Sequence, residues 1–177
     1  MIAPPQHCDE CGFEASSVGP EEAANAIRSI GPAFRDALAP VDDQAVRRRP
    51  DASTWSALEY AAHMRDVIML WGWGLNAVIK DDRPVIPVPE QSELDDVSSA
   101  YATLDPPTVA DELAANAERM AAKADAVGED GWERAGDFGG DDITALDILR
   151  KVNHEGHHHL LDVGRVLRTV RSQRASQ

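Results

Sequence analysis

The chain has 177 residues, 43% hydrophobic and 27% charged, which fits one globular domain with a real core and excludes a disordered or fibrous protein. Seventeen Lys and Arg against 31 Asp and Glu leave a net charge of −14, a field that repels polyanions and argues against nucleic acid as a partner. The most apolar window, 67–79, is too short to span a bilayer, the first ten residues show no leader pattern, and two cysteines make no disulfide framework, so a cytoplasmic protein with no membrane partner is expected.

Residues 1–19 read as an irregular arm containing Cys8-Asp9-Glu10-Cys11. Pro20, followed by Glu21 and Glu22, opens a first helix whose apolar face is Ala23, Ile27, Ile30, Phe34 and Leu38, ending near Pro40. The polar stretch 41–53, with Arg47, Arg48 and Arg49, reads as a loop. Ser53 or Thr54 then caps a second helix from about Trp55 to Lys80, stopped by Asp81, Asp82 and Pro84. The proline-rich segment 83–106 is a long excursion with at most a short helical turn.

Thr108 opens a third helix with a box-like Thr-Val-Ala-Asp, running through Leu113, Met120 and Ala124 to Gly128. Residues 128–142 read as an exposed loop anchored by Trp132, and Asp142 or Thr144 opens a fourth helix to about Val170. No strand alternation competes. The predicted fold is all-α: a four-helix bundle over 20–170, with a long connection between its second and third helices, an irregular arm at 1–19 and a tail at 171–177.

Four of the six histidines fall in His154-Glu155-Gly156-His157-His158-His159. His154 and His158, four apart, project from one helix face and can grip a divalent ion through one nitrogen each. His63, among Tyr60, Val67 and Leu70, is the expected third ligand from the second helix. His157 and His159 are expected to be solvated or supporting groups. Asp162, four residues after His158, is either an orienting carboxylate or a solvated helix charge.

Trp55-Ser56-Ala57-Leu58-Glu59-Tyr60-Ala61-Ala62-His63-Met64-Arg65-Asp66-Val67 resembles the second-helix motif of the DinB-like proteins, closest to the actinobacterial branch related to mycothiol-dependent maleylpyruvate isomerases. His154 to Val163 is similar to the fourth-helix motif of that branch. Glu90-Gln91, Tyr101 and 105–113 resemble its middle segment, and Trp132-Glu133-Arg134 its loop before the last helix. The resemblance covers roughly 20–168. It implies a four-helix bundle with a three-histidine metal site at His63, His154 and His158, holding zinc foremost, with nickel, iron or manganese as other candidates. It further implies mycothiol or a similar thiol as a cofactor. Ser92 and Pro89 depart from the commonest pattern in the segment that would wall the pocket.

An ion on neutral ligands lowers the pKa of a bound thiol or water. The leading expectation is therefore a metal-dependent thiol S-transferase or isomerase, whose partners are a small thiol and an electrophilic molecule; a homodimer is left open. The alternatives are a metal-dependent hydrolase and a non-catalytic metal- or ligand-binding module. Glu90, Gln91 and Tyr101, with Asp162, are the candidate pocket residues. Cys8 and Cys11 form half of a zinc knuckle, and structural zinc, a redox dithiol and an inert pair stay open.

Overall fold

The computed structural model describes residues 3–176, the side chain of Gln91 lying outside the described set. Six α-helices occur among them: α1 (Pro20–Leu38), α2 (Asp43–Arg47), α3 (Ala57–Lys80), α4 (Gln91–Ser99), α5 (Pro106–Asp125) and α6 (Ala145–Ala175). The four long ones, α1, α3, α5 and α6, make the bundle. Both α1 and α3 pack against α5 and α6, so the two long helices that follow each other in the chain sit across a diagonal. Phe34, Leu58, Met64, Ile68, Leu75, Leu113, Met120, Ile148 and Leu149 fill the centre, essentially without solvent contact.

Local chemistry sets the helix starts, and in two places shifts them from expectation. Asp51 accepts from the backbone N–H groups of Ser53 and Thr54, which ties those residues into a turn. The cap of α3 is therefore Ser56, in a reciprocal box with Glu59. Glu59 is buried and also receives the Arg49 guanidinium. Asp105 caps α5 by accepting from Thr108, so the helix begins at Pro106 and Pro107, which have no N–H to leave unpaired. Thr144 caps α6 in a box with Asp147, one of the two expected starts.

Three segments expected to be irregular carry structure. Part of 41–53 forms α2. The 83–106 excursion contains a strand and the whole of α4. The expected loop 128–142 forms a hairpin, β4 (Ala135–Phe138) and β5 (Asp141–Thr144), turning at Gly139 and Gly140 with φ of 66° and 97°. Val85–Ile86, here β3, joins β4 in parallel. This small sheet packs along the C-terminal half of α3, with Phe138 stacked on Trp71 at 5.3 Å. Arg134 donates to the carbonyls of Val78 and Asp81, satisfying the C-terminus of α3.

The arm is also ordered. Strands β1 (His7–Cys8) and β2 (Phe13–Glu14) pair antiparallel, and Cys11, Phe13 and Ala15 are buried in a small satellite cluster. Arg150 donates to the Val18 carbonyl and Arg165 to Glu10, fastening the arm to α6. No helix among the described residues is long and apolar enough to cross a membrane.

Candidate metal centre

Helix α6 carries two ligand pairs, each with the four-residue spacing that places side chains one above the other: His154 with His158, and Glu155 with His159. The phase of the core decides which pair points inward. Ile148 and Val152 are fully buried, and seven residues on from them stand Glu155 and His159; seven on from His159 is buried Val166. His154 and His158 share their phase with Asp147, Lys151, exposed Leu161 and Arg165, which is the flank of the helix.

On the inner side, nitrogens of His63 and His159 and a carboxylate oxygen of Glu155 all lie within 4.8 Å of one another. The His63 and His159 rings meet edge to face at 5.0 Å. Trp55 flanks His63 at 5.3 Å and Tyr60 flanks His159 at 5.3 Å. Burial, helped by repulsion from His159, lowers the His63 pKa to about 4, so its ring is neutral and able to ligate at physiological pH. Burial alone would raise the Glu155 carboxyl, but the hydrogen bond from His159 and the Lys151 ammonium 2.9 Å away carry it well below the usual carboxylate range.

His159 stands between two carboxylates. Its Nε2 lies 3.2 Å from Glu155 Oε2 and its Nδ1 3.1 Å from Asp162 Oδ2. Burial opposes its protonation and these two anions outweigh burial, so its pKa is raised. Asp162 fixes the ring through Nδ1 and leaves Nε2 facing Glu155 and His63, the arrangement in which a carboxylate orients a ligating histidine. Two imidazoles and one carboxylate suit a divalent ion such as zinc and leave it an open position, so the residues fit the group.

On the flank, Cys8, Cys11, His154 and His158 form a second set of donors within 4.8 Å of one another. Cys8 Sγ is 3.6 Å from His158 Nδ1, and Phe13 packs edge-on to His154 at 5.3 Å. The Cys8 thiol is lowered to about 7, first by a backbone hydrogen bond from Cys11, with His158 contributing; burial raises the Cys11 thiol.

The structure therefore divides the expected trio. Among the described residues, His63 shares ligating distance with Glu155 and His159, whereas His154 and His158 share it with Cys8 and Cys11. Glu155, which the histidine spacing does not single out, and His159, expected to be a solvated or supporting group, are the pair that meets His63. The signal that identifies them is the phase of the core positions along α6 rather than the spacing of the histidines. His157 is exposed, as expected. Tyr101 is buried against Trp55 and bonded to Asp66, and Glu90 is exposed at the start of α4, where its N–H donates to Glu93. Of the expected pocket residues, only Asp162 touches the inner cluster; the side chain of Gln91 lies outside the described residues.

Residues 27–163 match the model of the DinB superfamily. The chain belongs to that family. The DinB fold is also what solved structures share with it. YfiT from Bacillus subtilis, a probable metal-dependent hydrolase with an unusual four-helix bundle topology, superposes with a TM-score of 0.76 at 15% identity, over 84% of this chain and 86% of that one. A mycothiol-dependent maleylpyruvate isomerase superposes at 0.70 with 16% identity over 85% of this chain, which spans 62% of the isomerase. An alanine variant of such an isomerase at one histidine matches likewise, at 0.70 and 14% identity. A search of curated proteins finds no significant match in sequence.

Proposed function

We propose that this DinB protein is a metal-dependent thiol S-transferase or isomerase, with a divalent ion, zinc foremost, held by His63, Glu155 and His159. The observation that carries the reading is that interior donor set, with three protein ligands and a fourth position left over. Such an ion supplies Lewis acidity and a lowered pKa to a bound thiol or water.

The chain's own residues do the rest. Burial keeps His63 neutral, Asp162 orients His159, and Glu155 offsets one of the ion's two charges. The neighbouring carboxylates are engaged: Asp162 with His159 and Arg165, Asp66 with Arg65 and Tyr101. A water nucleophile would find neither of them free to act as a base, whereas a thiol ionised by the metal needs none. A mycothiol-type thiol and a small electrophile are thus the proposed partners, and low-molecular-weight thiols are kept reduced in the cytoplasm. The likeness to YfiT supports a second reading, hydrolysis by metal-bound water.

The test uses a Cys8→Ser/Cys11→Ser variant loaded with cobalt, so that any thiolate band comes from added thiol. Mycothiol should produce an intense charge-transfer band that His63→Ala abolishes. If mycothiol, bacillithiol and simple thiols at millimolar concentration all leave the spectrum unchanged, the transferase reading gives way to hydrolysis or sequestration.

A further inference from the structure

We propose that Cys8, Cys11, His154 and His158 form a second, closed zinc site that ties the N-terminal hairpin to α6. The two cysteines sit on a knuckle. Cys8 ends β1, Cys11 lies in the turn, and Gly12 adopts a φ of 73°, reserved in practice for glycine, while donating its N–H to the Cys8 carbonyl at 2.8 Å. That turn aims both sulfurs at one side of α6, where the two histidines stand one helical turn apart.

Two independent observations point to an ion among them. Both ring nitrogens of His154 are buried and without a hydrogen-bond partner, a costly state for an imidazole that a metal bond would relieve. The second is the 3.6 Å between Cys8 Sγ and His158 Nδ1, a length that a sulfur hydrogen bond also reaches. It matches the separation of roughly 3.5 Å that sulfur and nitrogen take on a tetrahedral zinc ion with its usual bond lengths.

The donor set selects the metal. Two thiolates and two neutral imidazoles cancel the charge of a divalent ion, and soft sulfur favours zinc over magnesium or calcium. Four protein ligands leave no position for substrate, so this site is structural, in contrast to the three-ligand interior set. It also answers a weakness of the arm. A hairpin with two residues per strand has too little core to hold itself in place, and small elements of this kind are commonly stapled by a metal. Binding displaces the thiol protons to solvent and needs no oxidant.

The experiment loads the reduced full-length protein with cobalt, with no thiol added. A thiolate-to-cobalt charge-transfer band should appear, persist in His63→Ala and Glu155→Gln, and vanish in Cys8→Ser/Cys11→Ser. His154→Ala should weaken ion retention at this site at least tenfold. Maleimide labelling of the wild type provides a readout that needs no variant: zinc should protect both thiols, and a chelator should expose them. Absence of the band, a band that survives Cys8→Ser/Cys11→Ser, or equal labelling with and without zinc would each overturn the proposal. These readouts are independent of His63, so failure of the interior site and failure of this one are distinguishable.

Discussion

His154 and Glu155 are adjacent in the chain and face different neighbours. The His154 ring lies edge-on to Phe13 at 5.3 Å, whereas the Glu155 carboxylate lies 3.2 Å from His159 and 2.9 Å from Lys151. One residue along a helix turns a side chain by about 100°, enough to move it from the arm to the bundle interior.

The two faces should separate by mutation. In the Cys8→Ser/Cys11→Ser background, His63→Ala or His159→Ala should abolish tight ion binding, and His154→Ala should retain it. Asp162→Asn should weaken binding by about 10- to 100-fold, because the ring of His159 loses its orienting acceptor. Metal content after gel filtration is the measurement. Loss of the interior ion in His154→Ala alone would return His154 to the centre.

Glu59 gives a stability prediction with a defined pH dependence. Burial would raise its carboxyl, but Arg49 and the Ser56 N–H hold it below its ordinary value. Its interactions therefore stabilise the fold fully above the unfolded carboxyl's pKa of about 4.3 and are lost as pH falls through the lower folded value. Glu59→Gln should cost about 2 kcal/mol at neutral pH, the scale of charged hydrogen bonds lost from a buried group. Urea denaturation should show that difference constant down to about pH 5 and shrinking below about pH 4. A difference that grows on acidification would contradict the assignment.

Two glycines inside helices should resist replacement, to different degrees. A Cβ on Gly156 would lie 2.5 Å from Ile30 Cδ1, a side-chain end that can yield in part. On Gly31 it would lie 2.5 Å from the Ala114 Cα, which cannot. Alanine gains roughly 1 kcal/mol of helix propensity at either site. Against overpacking of about 1–3 kcal/mol, Gly156→Ala should be mildly destabilising and Gly31→Ala clearly worse. Melting temperatures check the order, and a rise in both would refute the close approach.

The basic cluster at 47–49 should not confer nucleic-acid binding. Arg47 is held by Asp43 and the carbonyls of Ala102 and Leu104, and Arg49 by Glu59. With a net charge of −14, fluorescence anisotropy should show no salt-sensitive affinity for duplex or single-stranded DNA. Binding that weakens linearly with log salt would overturn this.

The long helices were legible because their apolar residues repeat over many turns, as Ala23, Ile27, Ile30, Phe34 and Leu38 do on α1. The strands were not, because β3 has two residues and β4 reads Ala-Gly-Asp-Phe, too short for alternation to register. The site was legible as a histidine-rich stretch of α6 opposite His63. The register proposed for it was masked by the conspicuous His154–His158 spacing, since Glu155 and His159 have the same spacing in the phase of Ile148 and Val152. The ordering of the arm depends on contacts with residues some 150 positions away, such as Cys8 with His158, which local sequence does not encode.

Gly156 sits between the two ligand pairs and brings α6 against Ile30 of α1. The azimuth of α6 about its own axis is thereby indexed, like a key seated in its slot. Inserting one residue between Ala145 and Asn153, while the helix start stays capped, would re-aim the screw by about 100°. His154 and His158 would then take the inward positions, and the interior would exchange an anionic ligand for a neutral one without any substitution among the ligands. The charge of the centre is thus written in the angular setting of one helix as much as in the residues it carries.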